Sequence, residues 1–408
     1  MNPKNLPDIS RRHFFARAGV GLAALATTRL AVAQGSGANG KIRLGLIGCG
    51  KRGGWLAGLF ADHGGYEIVG VADYFPEAAP LAADKLKLAP AQVFSGLKGY
   101  EKMIAQGGLA AVAIISPPSF HPEQAAAAVA AGLNVDLAQP VAVDGPGCQS
   151  IAASGAAARG KGKVFLVDFQ TRTNEFSVEA IERAHAGAIG DFCFGAGSYH
   201  AGRVATKGGT ETPEGRWRNW VFDQALSGDI MVEQNSHTLE GMSWIAKDAP
   251  PVRCSGTGGR RARVDVGDAW DQFALAFEYA NNVGVTFRSR QSDAPGTPRG
   301  ILNGMFGPKG GLMTAYGADV MIRGGAEAFD GGGKTAGIYK EGAQAPIRAL
   351  HEQVMNKDAT NATVASSVTS NRVALLGRTA ASEGRPVTWA EHIAAKKKLA
   401  ADLSGLKA

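Results

Sequence analysis

Short apolar runs alternate with segments of helical periodicity through the first part of the chain. Apolar runs bounded by turn residues are typical of strands buried on both faces of a parallel sheet, whereas apolar residues spaced three and four apart predict helices. The predicted strands are 42–47, 66–72, 93–95, 109–116, 134–137 and 164–169, and the predicted helices are 55–60, 77–88, 100–106 and 122–131. This alternation predicts a parallel α/β domain over residues 41–168.

The second part of the chain has a different pattern, in which strands follow one another without intervening helices. The predicted strands are 192–199, 252–256, 270–279, 283–290 and 302–306. Asn281-Asn282 separates two of them as a hairpin turn. The pattern predicts an α+β domain over 169–340 with a large, mostly antiparallel open sheet. Helices over 345–355 and 366–383 form the last predicted unit, residues 341–408.

A glycine fingerprint joins the first predicted strand to the helix that follows it. Three glycines have the spacing G-x-G-x-x-G, namely Gly48, Gly50 and Gly53. The first permits the tight turn, the second lets the backbone approach a pyrophosphate, and the third allows close packing of helix on strand. A glycine-rich turn in an unrelated α/β protein is the alternative, because the chain holds 56 glycines. The position between a buried strand and a helix favours a Rossmann dinucleotide-binding domain.

A carboxylate stands where such domains bind the adenosine ribose. Asp73 ends the second predicted strand and lies 20 residues after Gly53. A carboxylate there accepts hydrogen bonds from the ribose hydroxyls and repels a 2′-phosphate, so NAD is favoured. Lys51 and Arg52 could neutralise a 2′-phosphate if they turned inward, which leaves NADP open.

Residues 1–33 have the pattern of an export signal. Arg11-Arg12 precedes an apolar run over 18–28, and the small residues of Ala31-Val32-Ala33 form a cleavage site. This order is typical of twin-arginine signals, and the apolar run is too short for a permanent membrane span. We therefore expect cleavage after Ala33, a linker over 34–40, a periplasmic location and no stable membrane anchor.

Charge and cysteine content bear on partners and metals. The 408 residues carry a formal net charge of +7, which falls to +3 without residues 1–33. No Lys/Arg run lies beside aromatic residues, so nucleic acid is not an expected partner. The cysteines form neither a C-x-x-C motif nor a zinc-ligand spacing, and buried thiols are expected at Cys49, Cys148, Cys193 and Cys254.

Two later strands are followed by further distinctive segments, Ser116-Pro117 with His121 and the Gln139-Pro140 turn. With the glycine fingerprint, the 228–237 stretch and Gly377-Arg378, they make the chain resemble the Gfo/Idh/MocA oxidoreductases from about residue 41 to about residue 390. The resemblance implies an NAD(P)-binding Rossmann domain, a carbohydrate substrate and a homo-oligomer, dimeric or tetrameric. The residues that it places at the cofactor are Gly48, Cys49, Gly50, Lys51, Arg52, Gly53, Asp73, Ser116, Pro117, His121, Gln139 and Pro140.

The chain departs from the family at one position. Members usually carry Glu-Lys-Pro where this chain has Ala138-Gln139-Pro140. The family lysine lies beside the nicotinamide and the substrate hydroxyl, where it assists proton and hydride transfer. Gln139 can hydrogen-bond a sugar hydroxyl but cannot titrate. The acid/base role must therefore move to another residue, or alcohol oxidation is lost.

The richest group of titratable residues lies within 228–240. On one helix, Glu233, His237 and Glu240 would fall at i, i+4 and i+7 and share a face. The family has acid, histidine and acid there, and its first acid and its histidine reach the substrate. His237 is therefore the predicted general acid/base, with Glu233 orienting it. A metal site and a core histidine are the alternatives; no second histidine completes a metal site, so no metal is expected.

Several other side chains are candidates for substrate contact. Trp217 and Trp220 could stack on a sugar ring, and Arg218 could bond its hydroxyls or carboxylates. The alternative for this segment is a surface excursion with structural tryptophans. Arg172 faces the active site in the family, and Glu240 completes the predicted substrate set.

One further residue could replace the titratable group that the Gln139 turn lacks. Tyr199 ends a predicted strand and could supply a proton relay.

These observations together predict an exported NAD(P)-dependent oxidoreductase that transfers hydride to or from a sugar while holding its cofactor tightly. One alternative keeps the cofactor but cleaves a glycosidic bond by transient oxidation and elimination, without net redox change. The other is a non-catalytic carbohydrate-binding protein, because Gln139 replaces the family lysine.

Overall fold

The computed structural model of the protein describes residues 40–293, 295–325, 328–332, 335–360 and 363–408. The predicted export signal, residues 1–33, lies outside the described residues, as does the predicted linker up to residue 39. No helix within these ranges combines the length and the apolar character that a membrane crossing needs.

The first sheet of the described chain is parallel and six-stranded, in the order β3-β2-β1-β4-β5-β6. Its strands are β1 (Ile42–Ile47), β2 (Tyr66–Asp73), β3 (Val93–Ser95), β4 (Ala111–Ile114), β5 (Asn134–Leu137) and β6 (Phe165–Val167). The order reverses between β1 and β4, which both pair in parallel with their neighbours. This strand order is that of a Rossmann sheet, in which ligands bind outside the carboxyl ends at the reversal.

Helices cover both faces of this sheet. They are α1 (Lys51–His63), α2 (Ala78–Leu86), α3 (Gly99–Gln106), α4 (His121–Ala130) and α5 (Gly145–Gly160). Strands β4 and β5 are buried along their whole length, as expected for a parallel sheet covered on both faces. The predicted parallel α/β domain is confirmed.

The second sheet has nine strands among the described residues, in the order β14-β13-β12-β11-β7-β10-β9-β8-β15. They are β7 (Phe194–Ala201), β8 (Arg253–Gly259), β9 (Gln272–Glu278), β10 (Gly284–Gln291), β11 (Gly300–Gly307), β12 (Gly310–Ala315), β13 (Val320–Arg323), β14 (Phe329–Asp330) and β15 (Val387–Thr388). The pairs are antiparallel except β7 with β10. The predicted turn at Asn281-Asn282 is confirmed, since β9 and β10 pair across it and both residues have positive φ.

Helices and turns between β6 and β8 form one side of the second domain. They are α6 (Glu175–His185), α7 (Pro213–Arg218), α8 (Gln224–Ser227), α9 (Ile230–Glu233) and α10 (Ser236–Ile245). The sequence predicted one helix through residues 233–240. The structure divides it at Gln234 and Asn235, because the N–H groups of both residues bond the carbonyl oxygen of Ile230.

The end of the chain returns to both sheets through α11 (Ile338–Asn356), α12 (Thr363–Glu383) and α13 (Trp389–Ala394). Helix α11 places Ala343, Ile347 and Leu350 in the same apolar cluster as β1. Helix α12 packs against α5 of the first domain and against α10 and β8 of the second. The two domains therefore share a core, and their relative position is held by buried side chains.

The cysteines only partly follow expectation. Cys49, Cys148 and Cys254 are buried thiols, as predicted, but Cys193 is exposed, so that prediction was wrong for this residue. It lies just before β7, where its N–H donates to the carbonyl oxygen of Phe306 in the neighbouring strand β11.

Candidate active site

The glycine turn shows the close approaches that its motif requires. Gly48 has a φ of 92°, and a Cβ atom there would lie 2.7 Å from the backbone of Ile115. A Cβ atom at Gly53 would lie 1.9 Å from the carbonyl oxygen of Gly48. At Gly50 a Cβ atom would meet open space, so the first-turn N–H groups of α1 are accessible to a pyrophosphate.

Asp73 is held rigidly at the end of β2. One carboxylate oxygen accepts the N–H of Cys49 at 2.7 Å, and the other accepts the N–H of Phe75 at 2.9 Å. Burial raises the pKa of Asp73, while these two backbone hydrogen bonds oppose the rise. The carboxylate is therefore tied to the glycine turn in the place that the ribose hydroxyls of a dinucleotide require.

A cavity of about 220 Å³ opens at the carboxyl ends of β1, β2 and β4. Its walls include Gly48, Gly50, Asp73, Ser116, Pro117 and Trp217. The cavity lies at the strand-order reversal, where α/β sheets of this type bind their ligands. Ser116 lies in this wall with its hydroxyl bonded to Gln124 at 2.5 Å.

Trp217, predicted to contact substrate, lies on the cofactor side instead. Its ring stacks between Tyr74 and Phe120, with ring centroids 4.8 Å and 4.6 Å away. Only 8% of Trp217 is exposed. The segment that carries α7 folds over the edge of the first sheet, and the sequence could not show this, because an indole ring suits an adenine as well as a sugar.

Arg218 and Trp220, like Trp217, lie on the cofactor side. Both line the cavity beside Asp73. The Arg218 guanidinium lies 4.0 Å from the ring centroid of Phe75 and pairs with Glu77 at 2.5 Å. The prediction that these residues contact substrate is therefore corrected to a position at the adenosine end of the cofactor cavity.

His121 is a buried brace between two loops. One ring nitrogen lies 2.9 Å from the carbonyl oxygen of Pro140, and the other lies 2.7 Å from that of Ser116. Only 1% of the residue is exposed, and burial lowers its pKa to about 4. His121 thus positions the predicted cofactor loops and does not itself line the cavity.

Arg52 is not available to neutralise a phosphate beside Asp73. Lys51 is exposed at the first position of α1. Arg52 points away from Asp73 and pairs with Asp168 after β6, with 2.6 Å between Nη2 and Oδ2. The idea that Arg52 neutralises a 2′-phosphate is therefore wrong, and the geometry at Asp73 favours NAD.

A second cluster joins the two domains at the Gln139 turn. The Nε2 atom of Gln139 lies 3.4 Å from Nδ1 of His237. The ring of Tyr316, which follows β12, lies 6.3 Å from the imidazole ring. The Tyr316 hydroxyl donates to Gln170 at 2.6 Å. The sequence predicted that Glu233 orients His237, whereas the structure gives this hydrogen bond to Gln139.

The pKa values of the titratable groups in this cluster shift in opposite directions. Burial and the positive charge of Arg52 lower the pKa of His237 to about 4. Burial raises the pKa of Glu233 to about 7, against the opposing effect of Arg52. Burial, Glu233 and Tyr316 raise the pKa of Tyr199. These pKa values leave His237 uncharged and Glu233 partly protonated at neutral pH.

Arg172 and Glu240, both predicted substrate contacts, bind each other. Arg172 Nε pairs with Glu240, and the other guanidinium nitrogens make two bonds to Asp248. The guanidinium also lies over the rings of Phe169 and Trp244. Because the helix is interrupted after Glu233, Glu240 does not continue the face of the first acid but turns into this buried ion pair. The prediction of a shared face was wrong.

Sequence analysis missed two residues of the cluster. Asp168 follows β6, and a polar residue at the carboxyl end of a parallel strand was an available signal. Tyr316 gave no signal, because it reaches His237 through the packing of a strand against a helix in the second domain. Within the described part of the chain, including this cluster, no group of three or more His, Cys, Asp or Glu side chains could hold a metal ion.

Comparison with known proteins agrees with this architecture. Residues 42–169 match an oxidoreductase family with an NAD-binding Rossmann fold, GFO_IDH_MocA. Residues 178–309 match the GFO/IDH/MocA C-terminal domain.

One curated relative is a glycosyl hydrolase family 109 protein from Streptomyces niveus. It is 30% identical over 205 residues, which are 46% of this chain and 38% of that protein. The chain thus matches well under half the length of this relative.

Solved structures share the fold at low sequence identity. An aldose-aldose oxidoreductase from Caulobacter crescentus, complexed with glycerol, is 17% identical with a TM-score of 0.68, over 85% of this chain and 99% of that one. A levoglucosan dehydrogenase in complex with NADH and levoglucosan is 16% identical, with the same TM-score and the same coverage of both chains. The two matched domains, the glycine turn with its anchored Asp73 and the paired sheets show that this chain belongs to the Gfo/Idh/MocA family of NAD-binding oxidoreductases.

Proposed function

We propose that this protein oxidises a ring hydroxyl of a carbohydrate while it holds NAD tightly. The observation that carries the proposal is the pair of Gln139 and His237, 3.4 Å apart at the carboxyl edge of the Rossmann sheet, with a histidine that is uncharged at neutral pH. Two fold relatives support a polyhydroxylated substrate, since one is complexed with the polyol glycerol and the other with the anhydrosugar levoglucosan.

The residues present fit the cofactor. Gly50 leaves open space at the start of α1, and Asp73 is fixed by two backbone N–H groups. Bound NAD would take a hydride from the carbon that carries the hydroxyl. The turn at Gly48 and the carboxylate of Asp73 would hold its pyrophosphate and its adenosine ribose.

His237 acts as the base in this proposal. It accepts the proton of the substrate hydroxyl. Its pKa of about 4 leaves it uncharged at neutral pH, so a lone pair is available for the proton, although the imidazole is a weaker base than that of a free histidine. The Gln139 amide can present either its NH₂ group or its carbonyl oxygen to Nδ1 and so selects the tautomer. Glu233 balances the charge that His237 gains. Tyr199, whose pKa is raised by burial and by the charge of Glu233, relays protons in this cluster.

Two segments of the chain support tight retention of the cofactor. Trp217 closes one wall of the cavity, and residues 401–406 pack their apolar side chains on the cluster of Tyr74, Phe120 and Trp217. The N–H of Leu97 donates to the carbonyl oxygen of Lys407 at 3.0 Å. A cofactor in this cavity would be enclosed by the 202–227 segment and by the end of the chain.

The test uses the purified protein without added cofactor. A panel of sugars is titrated in while the absorbance and fluorescence of the nicotinamide are recorded. The proposal expects one sugar class to raise the reduced-nicotinamide band. A bound cofactor that no sugar reduces would overturn it and would favour carbohydrate binding.

Cleavage of a glycosidic bond is the second candidate. It is favoured by the relative from glycosyl hydrolase family 109 and by the carboxyl group of Glu233, whose pKa of about 7 suits an acid that protonates a leaving oxygen. Oxidation of a ring hydroxyl acidifies the neighbouring C–H bond, so elimination and return of the hydride would leave no net redox change. Release of an aglycone from nitrophenyl glycosides, without added cofactor, distinguishes this candidate from simple oxidation.

Export is part of the proposal and rests on the sequence of residues 1–33. Arg11-Arg12 before an apolar run supports twin-arginine translocation, which carries folded proteins and would deliver the protein with its cofactor. Replacing both arginines by lysine should retain the protein in the cytoplasm, and cell fractionation measures this. Unchanged secretion of that variant would contradict the export proposal.

We also propose that the protein forms a homo-oligomer through the outer face of the nine-stranded sheet. Phe194, Leu302 and Met313 lie on this face and are 55%, 48% and 38% exposed. A second copy of the same face would cover this apolar surface. Light scattering should give a dimer or tetramer, and Leu302→Glu should shift it toward monomer; a monomeric wild-type protein would contradict the proposal.

A further inference from the structure

The side chain of Arg52 extends from the glycine turn toward the cluster of Gln139 and His237. Its backbone lies in the first turn of α1, but its guanidinium pairs with Asp168, 116 residues later. The other oxygen of Asp168 accepts the N–H of Gln139 at 3.1 Å. One buried carboxylate therefore fixes both the guanidinium and the backbone of the turn that touches His237.

The Arg52 guanidinium lies next to two stacked aromatic rings. The Cζ atom of Arg52 lies 6.0 Å from the ring centroid of Trp55, and the ring of Trp55 stacks on that of Tyr339 with centroids 5.0 Å apart. A third of the Arg52 side chain remains exposed, against 8% of the Asp168 side chain. In this pair the carboxylate is therefore buried, while part of the guanidinium remains accessible.

The positive charge of Arg52 reaches groups of the second domain. It adds to the lowering of the pKa of His237 by burial, and it opposes the rise that burial causes in the pKa values of Glu233 and Tyr316. His237 lies in α10, Glu233 ends α9, and Tyr316 follows β12. The guanidinium therefore lies where elements of both domains converge.

Hydroxyl oxidation needs positive charge at this place. As the O–H bond breaks and its proton passes to His237, the oxygen gains negative charge until the C–H electrons leave as hydride and the carbonyl bond forms. Gln139 can donate an N–H to that oxygen but carries no charge. A fixed cation in a partly buried site stabilises such charge far more than it would in water.

We propose that Arg52 supplies the positive charge that stabilises the developing alkoxide of the substrate, and that Asp168 is a positioning residue that holds Arg52 there. This inference rests on the proposed hydroxyl oxidation. It assigns to a residue of the glycine turn the cationic role that Gln139 cannot fill.

The experiment compares Arg52→Gln, Arg52→Lys and Asp168→Asn with wild type and with Arg159→Gln, an exposed position on α5. Bound NAD is quantified after denaturation, and single-turnover nicotinamide reduction is recorded with the active sugar across pH. We expect Arg52→Gln to retain NAD but to reduce it about 10²- to 10³-fold more slowly. Arg52→Lys should recover part of the rate, Asp168→Asn should fall between wild type and Arg52→Gln, and Arg159→Gln should match wild type.

A second readout separates charge from architecture. The pKa of His237 is measured by NMR of labelled histidine, with Glu233, Tyr199, Tyr316 and Asp168 unchanged. Loss of the cation should raise this pKa in Arg52→Gln but not in Arg52→Lys. Thermal melts check that each variant is folded.

Three results would overturn the inference. The first is an Arg52→Gln variant that transfers hydride at the wild-type rate, and the second is an unchanged pKa of His237 in that variant. The third is a loss of activity that only parallels the loss of bound NAD, because Arg52 would then be a phosphate ligand. A wild-type protein that no sugar reduces would instead remove the proposed function, and this inference with it.

Discussion

The Nε2 atom of Gln139 and the Nδ1 atom of His237 lie 3.4 Å apart, so a turn of the nucleotide domain and a helix of the second domain meet at one hydrogen bond. Neither residue alone is a complete acid/base device. In the proposed mechanism the amide selects the tautomer of the imidazole, and the imidazole accepts the proton.

Replacing His237 tests the base directly. His237→Gln should slow hydride transfer by about 10²- to 10⁴-fold while bound NAD is retained, because the proton acceptor is lost and the cofactor cavity is untouched. Single-turnover reduction of the bound nicotinamide measures the effect. An unchanged rate in this variant would show that another residue of the cluster is the base.

The pH dependence separates His237 from Glu233. The rate of hydroxyl oxidation should fall as pH drops through about 4, where His237 becomes charged, and should rise through about 7, where Glu233 becomes a carboxylate. Glu233→Gln should remove the step near 7 and keep the one near 4. A step near 7 that persists in this variant would assign it to another group.

Asp73 should control the choice between NAD and NADP. Asp73→Ser removes the carboxylate that would repel a 2′-phosphate, so NADP binding relative to NAD should improve by roughly tenfold or more. Quenching of tryptophan fluorescence measures both affinities. Glu67→Gln, an exposed position on the same strand, is the control and should change neither affinity.

Trp217 distinguishes a cofactor wall from a sugar platform. Trp217→Ala removes the ring between Tyr74 and Phe120 and should speed NAD release at least tenfold, with little change in the KM for sugar once NAD is saturating. Stopped-flow release and steady-state kinetics give the two quantities. A raised KM with unchanged NAD release would restore the interpretation from sequence.

The ion pair of Arg172 should be structural. Arg172→Met leaves Glu240 as an unpaired, buried acid, which should lower the free energy of unfolding by about 3–5 kcal/mol. Urea unfolding measures the loss. Adding Glu240→Leu should recover much of it, and failure of this second change to help would indicate that Arg172 has another essential contact.

Asp136 should make stability fall as pH rises. Burial and the nearby Asp168 raise its pKa to about 8, so the folded state keeps a proton that the unfolded state releases above about 4. Asp136→Asn removes this penalty. The melting temperature of the variant should exceed that of wild type increasingly between pH 4 and 8, and equal differences at both ends would contradict the assignment.

Local patterns were sufficient for most of the fold. The buried strands, the glycine turn and the Asn281-Asn282 hairpin depend on neighbours in sequence, and each was predicted. Asp73 was predicted because its distance from Gly53 reflects one strand–helix–strand unit.

The site was harder to predict because its contacts join distant segments. Trp217 was assigned to the substrate, since its ring chemistry does not reveal which domain it covers. Glu240 was placed beside His237 because helical spacing assumes an unbroken helix. Arg52 was placed at the cofactor, with a 2′-phosphate as an open possibility, because its partner Asp168 is brought close only by the order of the strands.

The return of α11 to the first domain has a consequence for how the protein is made. Ile347 and Leu350 complete the same apolar cluster as Leu44 and Leu46, about 300 residues earlier in the chain. A nascent chain that has left the ribosome only as far as β11 would expose that surface to water. We therefore expect the nucleotide domain to complete its core only when synthesis is nearly finished, with the incomplete chain exposing an apolar surface that is prone to aggregation until then.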